Sequence, residues 1–182
     1  TVAIGYRFLD GGTGIASVYA ATRDNLEVQI AGAVVTLLKP AVGSEGAGFF
    51  VQEGPTGPAV FVAIDPATLS PSPMLGDALS FTARQRAIAT GQTRIVSLDL
   101  LTLVTSGFDV ESYRQDLSAA GDLVSALAGY ESELLIIEGT TTVNPLSGTP
   151  RAPINAVQLV QLGGEIRPVI RPATATPVGF TV

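Results

Sequence analysis

The 182-residue sequence contains no Cys and no His. Together these absences remove disulfides, thiolate chemistry, histidine general bases and the usual zinc and copper ligands. The lack of Cys leaves the compartment open, since secreted proteins without disulfides are common. Charge is scarce too. Charged residues make up 14% of the chain, against about 25% in an ordinary soluble domain. Lysine occurs once, as Lys39, and the net charge is −6. A nucleic-acid binder is expected to carry a basic face instead. No apolar run is long enough to span a bilayer, so no membrane span is expected. The opening residues, Thr1 to Arg7, carry neither Met nor a leader-like pattern, and Thr1 is read as the start of a mature or excised chain.

What is present is apolar. Hydrophobic residues make up 46% of the chain. Two readings fit that balance: burial against another subunit or partner, or a well-filled β core beneath a Thr/Ser/Gln surface. The length suits one ordinary domain or two small ones packed together.

The stretch from Gly48 to Asp65 organises the rest. Phe49-Phe50-Val51 and Val60-Phe61-Val62 are apolar runs split by Gly54-Pro55-Thr56-Gly57-Pro58. Aromatic and β-branched residues suit a pleated surface, and the Gly/Pro turn makes the pair a hairpin. It holds three of the seven Phe residues, which places the core here. Upstream, Val2 to Leu9 and Ile15 to Ala21 read as short strands joined through Asp10-Gly11, a hairpin signal. Glu27 to Leu38 reads as a strand whose apolar face changes at Gly32, which predicts a bulge or bend. Pro66 to Pro73 reads as a loop that neither pairs nor forms helix. Ala78 to Ala89 and Thr93 to Val104 read as two further strands. Asp109 to Gly129 reads as the one helical region, through the spacing of Leu117, Leu123, Val124 and Leu127 and a break at Gly121. Strands follow at 134–143, 156–162 and 165–170, with a Pro/Gly loop at 144–153 and a final tail. The expected division is 1–26 as N-terminal strands, 27–107 as a barrel, and 108–182 as helix, second β unit and extended tail.

No residue pattern points to chemistry. Asp122, Glu131, Glu133 and Glu138 form the densest acidic group, read as a solvated face rather than a carboxylate pair or a calcium site. Gly11-Gly12-Thr13-Gly14 is no phosphate loop, because no Lys-Ser/Thr follows. Asp10 is assigned to a turn. Arg84 and Arg86 lie two apart on one strand and are the candidate phosphate contacts; otherwise they are strand surface charges. No cofactor and no metal is implied.

Three pieces, taken in order, resemble a known module. They are the strand Val28–Leu38 followed by Gly48-Phe49-Phe50-Val51-Gln52-Glu53; Val60-Phe61-Val62 with Leu75-Gly76-Asp77 and Leu79-Ser80-Phe81-Thr82; and Asp122-Leu123 with Tyr130-Glu131 and Leu134 to Gly139. They are similar to the OB-like module that precedes the catalytic domain of large secreted bacterial nucleases. The resemblance covers roughly 27–167. Where that family carries Tyr-Glu-Gly-Met, this chain has Tyr130-Glu131-Ser132-Glu133, and the catalytic domain is absent. The resemblance implies a mainly β fold: an OB-like Greek-key barrel plus a second small β unit, with a short helical segment at about 109–129. It also implies an extracellular or cell-surface setting, and it carries over no catalytic residue. OB-like barrels bind single strands by aromatic stacking beside a basic groove. Phe49, Phe50, Phe61 and Phe81 are read as core instead.

Two functions follow. One is a non-catalytic extracellular module for assembly or surface contact, whose partner is a copy of itself or another cell-surface protein. In that reading either terminus adds a strand to a neighbour. The other is a nucleic-acid-binding accessory domain of a secreted nuclease, with salt-sensitive binding through Arg84 and Arg86.

Overall fold

The computed structural model describes residues 9–41, 44–89, 91–117, 127–136, 151–154 and 158–161. The chain divides into two compact units. The described residues of the first run to Arg114 and include Tyr130–Leu134; those of the second are the rest.

The first unit is built on one mixed sheet. Its elements in order are β1 (Asp10–Thr13), α1 (Ile15–Ala20), β2 (Asn25–Lys39), β3 (Gly48–Gln52), β4 (Ala59–Val62), β5 (Ala78–Ala89) and β6 (Gln92–Thr105). The expected phenylalanine hairpin is β3–β4, paired antiparallel from Phe49–Val62 to Gln52–Ala59. β2 is the long strand that joins everything. Its first half pairs with β5, its second half with β3, and the register slips between Ile30 and Ala33. Gly32 sits at that slip with φ +68°, a conformation that side chains other than Gly disfavour. The bend foreseen at Gly32 is therefore present. β5 and β6 form a long antiparallel pair, and β4 meets β6 in parallel at Phe61–Arg94 and Val62–Ile95. The pairings β2–β3–β4–β6–β5 return to β2 and form a closed circuit of five strands.

The core lies inside that circuit. Val28, Ile30, Phe49, Val51, Val60, Val62, Leu79, Phe81, Ala83 and Ile95 are buried there with Ile15, Val18 and Leu26. The alternation of Leu79, Phe81 and Ala83 is the period of a strand with one inward face. β3 and β4 are buried on both faces. Phe50 and Phe61 stand opposite each other on the outward face with ring centroids 4.8 Å apart. The ring of Phe61 lies across Gly48, where a Cβ would fall 2.5 Å from its Cζ.

The N-terminal stretch departs from expectation. Ile15–Ala20 is an α-helix, not a strand, and Asp10–Thr13 pairs in parallel with β2 rather than opening a hairpin. The helix has no cap of its own, since Gly14 offers no side chain. A carboxylate from β3's end supplies one: Ile15 N donates to Glu53 Oε1 at 2.8 Å. At the other end Arg86 Nη1 donates to Val18 O at 2.9 Å. Ile15 and Val18, three apart, share the buried face. Tertiary contacts thus override a β-prone local sequence. Val2–Phe8 lies outside the described residues.

The helical region foreseen at 109–129 is also corrected where it is described. Val110–Tyr113 and Leu127–Tyr130 are 3-10 turns and Gln115–Asp116 is a strand; residues 118–126 lie outside the described set. Among the described residues the one α-helix is α1. Pro66–Thr68, within the expected loop, makes a single 3-10 turn capped by Asp65.

In the second unit β7 (Gln115–Asp116) pairs in parallel with β8 (Leu135–Ile136). β9 (Arg151–Ile154) pairs antiparallel with β10 (Gln158–Gln161). β9 corrects the reading of residues up to 153 as loop. Residues 137–143 and 165–170, and the tail beyond, lie outside the described residues. The fold is mainly β with a second small β unit, as expected.

Candidate functional site

Arg84 and Arg86, the candidate phosphate contacts, are both on β5 and both engaged within the protein. Arg84 Nε donates to Asp99 Oδ2 at 2.8 Å, and its Nη1 lies 3.2 Å from Glu27 Oε1. Arg86 is buried; it caps α1 through Val18 O and reaches Asp24 at 3.6 Å. The two side chains serve different ends. Arg86→Met should lower stability by about 2 kcal/mol, because it strips charged hydrogen bonds from buried carbonyls. Arg84→Ala should cost less than about 1 kcal/mol, as exposed ion pairs do. Urea unfolding of the two variants checks the difference.

The four phenylalanines weighed for stacking are interior. Phe49, Phe61 and Phe81 are 0%, 2% and 3% exposed and Phe50 9%. Phe50 and Phe61 do face outward from the β3–β4 pair, the face an OB-like binder would use. The guanidinium of Arg94 lies 5.4 Å from the Phe61 ring centre and the Lys39 ammonium 6.0 Å from it. The Arg94 Nε finds no hydrogen-bond acceptor among the described residues. The chain itself covers this face. Gln52, fully buried, donates from Nε2 to Gly54 O at 2.7 Å and to Tyr113 O at 3.0 Å, and accepts from Leu134 N at 3.0 Å. One side chain therefore pins the 113 and 134 main chains to β3.

The acidic group is not a solvated face at every position. Glu131 is half-buried and accepts from Thr93 N. Gly57 stands against the Glu133 carboxylate, where a Cβ would not fit. Asp122 and Glu138 lie outside the described residues. Burial, with the negative charge of Glu131 beside it, pushes the Tyr19 phenol well above its ordinary value of 10.0. The hydroxyl donates to Ala59 O at 2.7 Å. Asp10 accepts from the main-chain N–H groups of Thr22 and Arg23 and pairs with the Arg23 guanidinium; the Arg23 N–H bond foremost holds its carboxyl below the usual range. A shallow hollow beside α1 has Asp10 and Ser17 in its wall, and both are already bonded to main-chain groups. Among the described residues no three acidic, His or Cys side chains converge as a metal would require. No helix among them is long and apolar enough to cross a membrane.

What stands out is a surface. β4 ends at Val62, so beyond Ile95 the outer edge of β6 pairs with no strand among the described residues. That free half carries Leu100, Leu103 and Val104, which are 71%, 46% and 58% exposed. Residues 74–79 run antiparallel alongside 103–108: Leu79 faces Leu103, Ala78 faces Thr105, and Phe108 N donates to Gly76 O at 3.0 Å. Exposed Met74, Leu75 and Phe108 thereby extend the apolar ribbon. No charge interrupts the sequence from Leu100 to Phe108. Asp99 at its start is neutralised by Arg84. The sequence carries one signal of the ribbon, the uncharged run between Asp99 and Asp109. Comparison of the chain with protein-family models, with curated proteins and with solved structures gives no match.

Proposed function

We propose that this chain is a non-catalytic β module that works by surface contact, as an assembly or surface-display subunit outside the cell. The single observation that carries this reading is the uncharged, exposed apolar ribbon along the free half of β6. Exposed large apolar side chains grouped along one stretch of strand mark sites of protein contact. The polar side chains support it from the other direction. Arg84, Arg86, Gln52, Glu53 and Glu131 each hold main chain or an opposite charge. The closed circuit of five strands and the low charge fit an OB-like extracellular module. The nucleic-acid alternative loses its stacking platform to burial of Phe50 and Phe61.

Contact through the termini is tested by deletion. Removing 172–182, or 1–8 so that Asp10 keeps its bonds to Thr22 and Arg23, should abolish higher-order species in light scattering if strand exchange by the ends builds the assembly. Unchanged species after both deletions would reject exchange by the ends. A particle that stays monomeric at every concentration, and meets no protein at the cell surface, would reject the contact reading altogether.

A further inference from the structure

We infer that the apolar ribbon of β6 seats the same ribbon of a second copy across a two-fold axis, giving a closed dimer held by side chains. The inference rests on the contact reading above and names its partner.

Charge selects the occupant. Two copies of a chain with net charge −6 repel over most of their surfaces, so they approach at least cost where neither carries charge. The run from Leu100 to Phe108 is such a place, and a second copy brings an identical one. With the two runs antiparallel and centred on Leu103, Asp99 of one copy faces Gly107 of the other, so no like charges meet. A basic partner would have nothing to pair with here.

Backbone geometry selects the mode. The register of β6 against β5 slips at Leu100–Leu101 and again at Val104. Such bulges break the even spacing that an added strand needs. The free edge is therefore a poor template for endless sheet extension, and the side chains become the contact. Leu100 adds to this. Its φ of +54° is a left-handed conformation uncommon for a bulky residue, and it leaves the side chain 71% exposed. A strained backbone that presents an apolar side chain to solvent among the described residues fits a site of contact. A patch that meets its own copy closes at two, whereas a head-to-tail contact continues.

The test is sedimentation velocity on the full chain and four variants, each checked by circular dichroism for its β signature. The wild type should show a concentration-dependent dimer. Val104→Lys alone and Val104→Glu alone should each weaken it about tenfold or more. An equimolar mixture of the two should restore it, because position 104 of one copy lies diagonally across from position 104 of the other, close enough for opposite charges on long side chains to attract only across the two-fold contact. Ile88→Lys, equally exposed on β5 but outside the ribbon, should leave the dimer intact. Leu103→Lys repeats the test should Val104→Lys fail to fold. Association that survives Val104→Lys and Leu103→Lys but disappears when an end is deleted would overturn the two-fold contact and leave the contact function standing. A wild type that stays monomeric would overturn the two-fold contact; the contact function falls with it only if the chain also meets no partner at the cell surface.

Discussion

Replacing Phe61 by Ala is expected to destabilise the first unit by about 3–5 kcal/mol, the range for deleting a buried Phe. Three consequences combine at this one ring. It is 2% exposed and stacks on Phe50 at 4.8 Å. It fills the space that Gly48 leaves on the neighbouring strand, where a Cβ would lie 2.5 Å from the ring. It also lies under the Arg94 guanidinium, whose Nε finds no acceptor among the described residues; without the ring that cation loses its favourable contact with a π face. Phe61→Leu, which keeps most of the volume, should cost less than half as much. Urea unfolding followed by tyrosine fluorescence checks both, with a lower midpoint at unchanged slope as the expected signature. A loss below about 1 kcal/mol for the Ala variant would mean that the β3–β4 outer face is not packed as described.

Gln52→Leu is the second large effect. Leu has similar bulk and satisfies the apolar neighbours, so a pure packing role would leave stability nearly unchanged. Gln52 instead serves Gly54 O, Tyr113 O and Leu134 N from a fully buried position. Leaving such groups unpaired costs about 1–3 kcal/mol each, so a loss of about 3 kcal/mol is expected after partial relaxation. Its second signature is local. Amide hydrogen exchange at Leu134 should accelerate strongly in Gln52→Leu, while the amides of β5 and β6 slow or quicken only with global stability. Equal acceleration everywhere would show that Gln52 supports the core rather than the covering segment.

The parts of the fold that were legible in sequence are those set by local rules. The Phe49–Val51 and Val60–Val62 runs announce strands by residue type, and the Gly/Pro turn between them fixes the hairpin. Gly32 marks the bend because a positive φ is a local demand. α1 was illegible for the opposite reason. Its six residues include Ile, Val and Tyr, and its two caps come from Glu53 and Arg86, 38 and 68 residues away in sequence. No window of sequence contains both the helix and what holds it. The same distance hid the fate of the arginines: Arg84 and Arg86 look alike as neighbours on a strand, but only the fold sets one against Asp99 and the other against the helix end. The ribbon was half visible. Its uncharged run can be read directly, but its exposure depends on β4 stopping at Val62, so that β6 runs on alone.

The salt dependence of self-association tests the central claim most directly. A contact made by uncharged apolar side chains, between molecules that share a negative charge, should hold or tighten when ionic strength is raised, because salt screens only the repulsion. Sedimentation equilibrium at low and at physiological salt is expected to give an association constant that is unchanged or larger at the higher salt. An association constant that falls as salt rises would mean that charged groups make the contact, and would contradict the claim.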